Sequence, residues 1–140
     1  MRRTMLALTV MTILAALGTM ACGGDEENAA NQLTANLSEW KIELDKTTLP
    51  AGKTKIAAKN NGTMEHELVI IKTGTPPDQL PKTATQVDES KAGQTIDEIK
   101  EFKAGRTESK TVDLAAGNYV LICNIAGHYL SGMYIKLTVQ

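Results

Sequence analysis

The chain has 140 residues, 42% of them hydrophobic but only 4% aromatic, with a formal charge of −1 at pH 7. That length fits one ordinary domain with an aliphatic core and is too short for two. The balanced charge, with no basic stripe along the sequence, gives no sign of a nucleic-acid partner, and none is expected.

Residues 1–21 read as a secretory signal: Arg2 and Arg3, an apolar run from Met5 to Leu17, then the small residues Gly18, Thr19 and Ala21. The apolar run is short for a membrane span, so an uncleaved anchor helix is the lesser alternative. Ala21-Cys22-Gly23 resembles the lipidation box of bacterial lipoproteins, although Thr19 stands where that box prefers leucine. Lipidation of Cys22 is the expectation, and plain cleavage near Ala21 the alternative. The mature chain then carries 13 Lys and Arg against 16 acids, or −3. A Cys22–Cys123 disulfide suits an oxidising compartment, but Cys22 sits on a tether and Cys123 has better partners. Residues 22–32, acidic and Gly-rich at the start, read as that flexible tether, and 33–140 as the domain.

Within the domain the chain reads as short strands. WKIEL (40–44) alternates, with Trp40, Ile42 and Leu44 on one side. A Pro50–Gly52 turn leads to KTKIAAK (53–59), which Asn60-Asn61-Gly62 closes. HELVIIK (66–72) is nearly all apolar and β-branched, the mark of a central strand. Residues 74–105 carry Pro76, Pro77, Pro81, Gly93 and Gly105 and read as an irregular insertion. PPDQLPKT within it is a candidate short helix, and TIDEIKEF either a helical turn or a strand edge. ESKTVDL, YVLIC and MYIKLTV supply the last strands. Many short strands without long helices between them predict an antiparallel all-β sandwich or barrel.

The loop CNIAGHYLSGM (123–133) joins two of these strands and concentrates rare residues. It holds Cys123, His128 and Met133, and His66 at the head of HELVIIK is the other of the two histidines in the chain. One thiolate, two imidazoles and one thioether form the ligand set of a mononuclear type 1 copper site. Soft sulfur suits Cu(I) and imidazole suits Cu(II), so a mixed set held in one geometry lets the ion change oxidation state with little rearrangement. Taken singly, each residue has a blander reading: a buried thiol, a loop histidine, a core methionine. Met64 is a weaker axial candidate than Met133. Zinc is the rival metal, but a thioether in the fourth place neither activates water nor leaves room for it, so no enzyme is expected. A second copper, as an oxidase would need, lacks histidines.

The pattern resembles the cupredoxins, the small blue-copper proteins. The Cys-x4-His-x4-Met spacing and GNYVLICNIAGHYLSGMYIKLTV are similar to the auracyanin and rusticyanin type, and NNGTMEHELVI to the strand that carries the first histidine. The resemblance implies a Greek-key β-sandwich with one copper at its end, on His66, Cys123, His128 and Met133. It further implies a one-electron carrier; together with the N-terminal segment, the expectation is a monomer exported to the extracytoplasmic face of a bacterial membrane or its periplasm, meeting redox proteins of a membrane-associated chain. Copper storage or delivery through the same ligands is the alternative function, and a metal-free partner-binding module a third. Three departures concern the surroundings of the metal: Ala126 for a frequent Pro, Glu67 for a frequent Asn, and Asn124 for Ser or Thr. Glu67 is expected to be solvated, like Glu43 and Glu65. His128 is expected to show an edge at the surface. Trp40 is expected in the core or on an exposed patch, and Ile125, Ala126, Tyr129 and Leu130 against His128 or on a docking face.

Overall fold

The computed structural model describes residues 29–140. The signal segment and Cys22 lie outside the described residues. Two mixed sheets pack face to face as the Greek-key β-sandwich the resemblance implies. Sheet one has the order β2-β1-β4-β7, with β1 Asn31–Ser38, β2 Lys41–Leu44, β4 Gly52–Asn60 and β7 Thr107–Leu114. Sheet two has the order β3-β9-β8-β5-β6, with β3 Thr48–Leu49, β5 His66–Lys72, β6 Gln94–Phe102, β8 Gly117–Ile122 and β9 Tyr134–Val139.

Period-2 alternation builds the core. Leu33, Ala35 and Leu37 of β1, Ile56 and Ala58 of β4, and Val112 and Leu114 of β7 face Leu68, Ile70, Tyr119, Leu121, Leu137 and Val139 of sheet two. The sheets are not purely antiparallel: β1 pairs parallel with β4, and β3 parallel with β9. β1 starts at Asn31, two residues inside the expected tether. TIDEIKEF belongs to strand β6, while PPDQLPKT holds turns and one end of an isolated Lys82–Val87 bridge. The helix lies later, at α1 Glu89–Ala92.

The stretch between β5 and β6 folds over the outer face of sheet two. Leu80, Val87 and Ala92 pack there on Val69, Ile71, Val120, Ile122 and Tyr129 as a second apolar cluster. This explains why β5 reads as continuously apolar: both of its faces are covered.

Candidate metal centre

Strand alternation sends Tyr119, Leu121 and then Cys123 inward from β8, and Leu68 and Ile70 inward from β5. A register irregularity between His66 and Leu68, in the pairing with β6, marks the start of β5. The result places His66 and Cys123 at the same end of the sandwich, both fully buried. The Cys123 Sγ lies 3.3 Å from His128 Nδ1 and 3.9 Å from His66 Nδ1. One ligand atom from each of the three lies within 4.8 Å of the others, which makes them a candidate metal-binding group among the described residues. The two imidazole rings stand edge to face, 5.2 Å between centroids.

The loop after Cys123 turns tightly. Gly127 and Gly132 adopt φ values of 85° and 108°, which a side chain disfavours. A short 3-10 turn at Tyr129–Ser131 carries the chain back, and Met133 N–H donates to the His128 carbonyl while Cys123 N–H donates to the Met133 carbonyl. Met133 is thereby fixed between the two loop ligands and is wholly buried, whereas Met64 is 44% exposed.

The electrostatics suit a cation. Burial pushes the Cys123 thiol up to about 11, against the N–H groups of Glu67 and Ile125, which favour its thiolate. The Glu67 N–H lies 3.5 Å from Sγ. Burial lowers both imidazoles from the usual histidine range, with the second ring adding to the effect at His66, so both are neutral near pH 7. Two imidazole nitrogens and a sulfur that converge in a buried space fit a soft, imidazole-tolerant ion.

Several neighbours differ from expectation or escaped it. Trp40 is not in β2. It sits in the β1–β2 turn at φ 64°, 44% exposed, its ring edge-on to His128 at 5.2 Å. His128 is 4% exposed rather than open to solvent, so Trp40 stands where a free histidine edge was expected. Glu67 is buried, not solvated, because it faces outward from sheet two under the insertion, near Glu89, Glu98 and Glu101. Ile125 packs against the main core and Tyr129 joins the outer cluster, while Leu130 is exposed. Glu39 carries no sequence signal, and Asn60 signals only the turn after residue 59. Glu39 accepts the N–H groups of Thr63 and Met64, which hold its carboxyl down at about 2. Its Oε1 stands 3.7 Å from His66 Nε2, which has no hydrogen-bond partner among the described residues. Asn60 donates to the Met64 and Phe102 carbonyls. Together the two clamp the turn that delivers His66.

Known proteins share this arrangement of strands. The dithionite-reduced auracyanin of the photosynthetic bacterium Roseiflexus castenholzii is 28% identical over 80% of this chain and 98% of its own, with a TM-score of 0.58. Auracyanin A of Chloroflexus aurantiacus, described as a "blue" copper protein, is 27% identical over 78% and 99%, with a TM-score of 0.53. Rusticyanin of Thiobacillus ferrooxidans, 18% identical over 78% and 76% with a TM-score of 0.54, is alike in fold. No curated protein matches the chain in sequence. The sulfocyanin (SoxE) domain model matches residues 29–140, the whole of the described sandwich with its His66, Cys123 and His128 cluster, and the chain therefore belongs to the sulfocyanin family of cupredoxins.

Proposed function

We propose that this chain is a one-electron carrier that holds a single type 1 copper ion on His66, Cys123, His128 and Met133. The observation that carries the reading is the convergence of two imidazole Nδ1 atoms and one thiol Sγ in a space closed to water. The auracyanins to which the chain is similar include one described as a blue copper protein. Copper bound there would supply a one-electron couple between Cu(II) and Cu(I).

The chain's own residues then have separable tasks. His66 is held by β5 and the Glu39–Asn60 clamp, and the other three by one loop whose ends are β8 and β9. Burial of all four leaves their side chains little room to rearrange when charge changes. Neutral imidazoles need lose no proton to bind, while Cys123 must give up one. Trp40, itself exposed, lies edge-on to His128, and Leu130, two residues further along the loop, is also exposed. A redox partner docking there, through a small and brief contact, meets the Trp40 ring before the imidazole. Read as an export signal, Arg2, Arg3 and the apolar run to Leu17, with Cys22 after them, favour a protein tethered to a membrane whose partners belong to an extracytoplasmic electron-transfer chain.

The test is a visible spectrum of the protein loaded with Cu(II), then treated with ascorbate. An intense thiolate–copper band that bleaches and returns on reoxidation is expected. Because Trp40 is the single tryptophan and lies against His128, its emission should fall on loading. Copper that leaves on reduction, or a protein without the band, would sink the electron-carrier reading.

A further inference from the structure

The insertion does more than cover a sheet. Asn124 follows Cys123, so strand alternation turns it to the opposite face, toward the insertion. Its Oδ1 accepts the Val87 N–H at 2.7 Å, and its Nδ2 donates to the Val87 carbonyl at 3.2 Å and to Glu89 Oε1 at 2.9 Å. The Gln86 side chain donates to the Asn124 carbonyl at 2.7 Å. Further along the loop, Gly127 N–H donates to the Thr85 carbonyl at 2.8 Å. Past His128, the Tyr129 hydroxyl donates to the Pro77 carbonyl at 2.7 Å and accepts the Leu80 N–H at 3.1 Å. The insertion thus grips the residue after Cys123, the residue before His128 and the residue after it.

The insertion is itself fixed. Leu80 and Val87 are buried in the outer cluster, and Thr83 N–H and hydroxyl both donate to the Gln86 carbonyl. The strand that carries His66 contributes through Glu67, whose N–H lies 3.5 Å from Cys123 Sγ. Glu67 takes the place after the histidine, and its carboxyl faces the Asn124 backbone N–H, which favours the ionised form; when ionised it has no hydrogen to donate.

We propose that segment 77–89 is the brace of the metal loop, and that Asn124 is a positioning residue that transmits it to Cys123 and His128. The consequence for copper rests on the function proposed above, but the brace itself exists without metal. A blander role for Asn124, a polar residue that merely satisfies its own bonds, predicts no effect on its neighbours beyond lost stability. Asn124→Ala leaves the buried Val87 N–H without its acceptor, which favours local opening of the loop.

The test uses the full chain without metal and two readouts: hydrogen exchange at the Gly127 amide, and alkylation of Cys123 measured by mass spectrometry on its own peptide. Val112→Ala, in the core beneath sheet one, is the control for general destabilisation. Asn124→Ala should speed both processes at least about tenfold beyond what Val112→Ala does at a matched loss of Tm. Should Asn124→Ala fail to fold, Gln86→Ala removes only the bond to the Asn124 carbonyl and should move both readouts the same way. Equal rates in variant and control, or unchanged rates, would overturn the brace. With copper loaded, Asn124→Ala should also shift the thiolate band and speed copper loss, which Val112→Ala should not. If wild-type protein takes up no copper, the electron-carrier reading fails, while exchange and alkylation still decide the brace.

Discussion

Copper added to the apoprotein at pH 7 should release about one proton per ion and raise the stability of the fold, and Cys123→Ala should lose both effects. The proton comes from Cys123. Its thiol is buried and pushed up to about 11, so it is protonated in the apoprotein at neutral pH. Only a cation beside the sulfur can make its thiolate the stable form there. The imidazoles contribute little at pH 7, because burial lowers both from the usual histidine range. Apparent affinity should therefore climb roughly tenfold per pH unit above 7, the signature of one exchanged proton. The stabilisation follows from topology: the ion would tie His66 on β5 to the loop between β8 and β9. At free copper about 1,000 times Kd the gain is about 4 kcal/mol. Titration calorimetry in two buffers of different ionisation enthalpy counts the proton, and thermal unfolding with and without copper reads the stability. Proton release that persists in Cys123→Ala would assign it elsewhere.

The parts of the molecule legible in sequence are those where local pattern and final environment agree. β5, β8 and β9 are apolar or alternating stretches whose neighbours keep them so, and the ligand loop puts three of its rare residues within eleven positions. β1 was hidden because its inward face mixes Leu33 and Leu37 with the small Ala35, between Asn, Gln and Thr, and it adjoins an acidic stretch that reads as tether. Trp40 shares parity with Ile42, but parity counts only inside a strand. The positive φ at Trp40 breaks the alternation and lays the ring on His128.

The insertion is illegible for a different reason. Its order comes from side-chain bonds to Asn124 and Tyr129, about forty to fifty residues away, so no period marks it. The burial of Glu67 and His128 likewise depends on groups brought up from elsewhere: the insertion for one, Trp40 for the other. The ligands were readable because metal chemistry restricts residue type. Their supports were legible only in part: Asn60 signals a turn and Asn124 a departure after Cys123, but neither shows what it holds, and Glu39 carries no signal, because any of many polar residues can hold a turn.

Glu67→Gln should stabilise the apoprotein by about 1–3 kcal/mol at pH 8 and leave it nearly unchanged near pH 4. Glu67 is 8% exposed, and burial, reinforced by Glu98, Glu101 and Glu89, pushes its carboxyl from the usual 4.5 up to about 7 against the Asn124 N–H. Below pH 4.5 the carboxyl is protonated in both folded and unfolded chains. Between 4.5 and 7 the unfolded chain has lost its proton while the fold still holds it, so stability declines as pH rises. Above 7 the whole loss is in place. Glutamine does not titrate, and its amide oxygen can still accept the Asn124 N–H. The buried imidazoles act in the opposite direction, costing stability as pH falls below the usual histidine value, but they are common to both proteins and cancel in the difference. Urea unfolding of the two proteins at pH 4, 6 and 8 measures that difference directly. It should grow across the middle of the range and then level off. A gap of constant size at all three pH values would mean that the carboxyl titrates alike in the folded and unfolded chains, and that the acidic cluster under the insertion does not hold its proton.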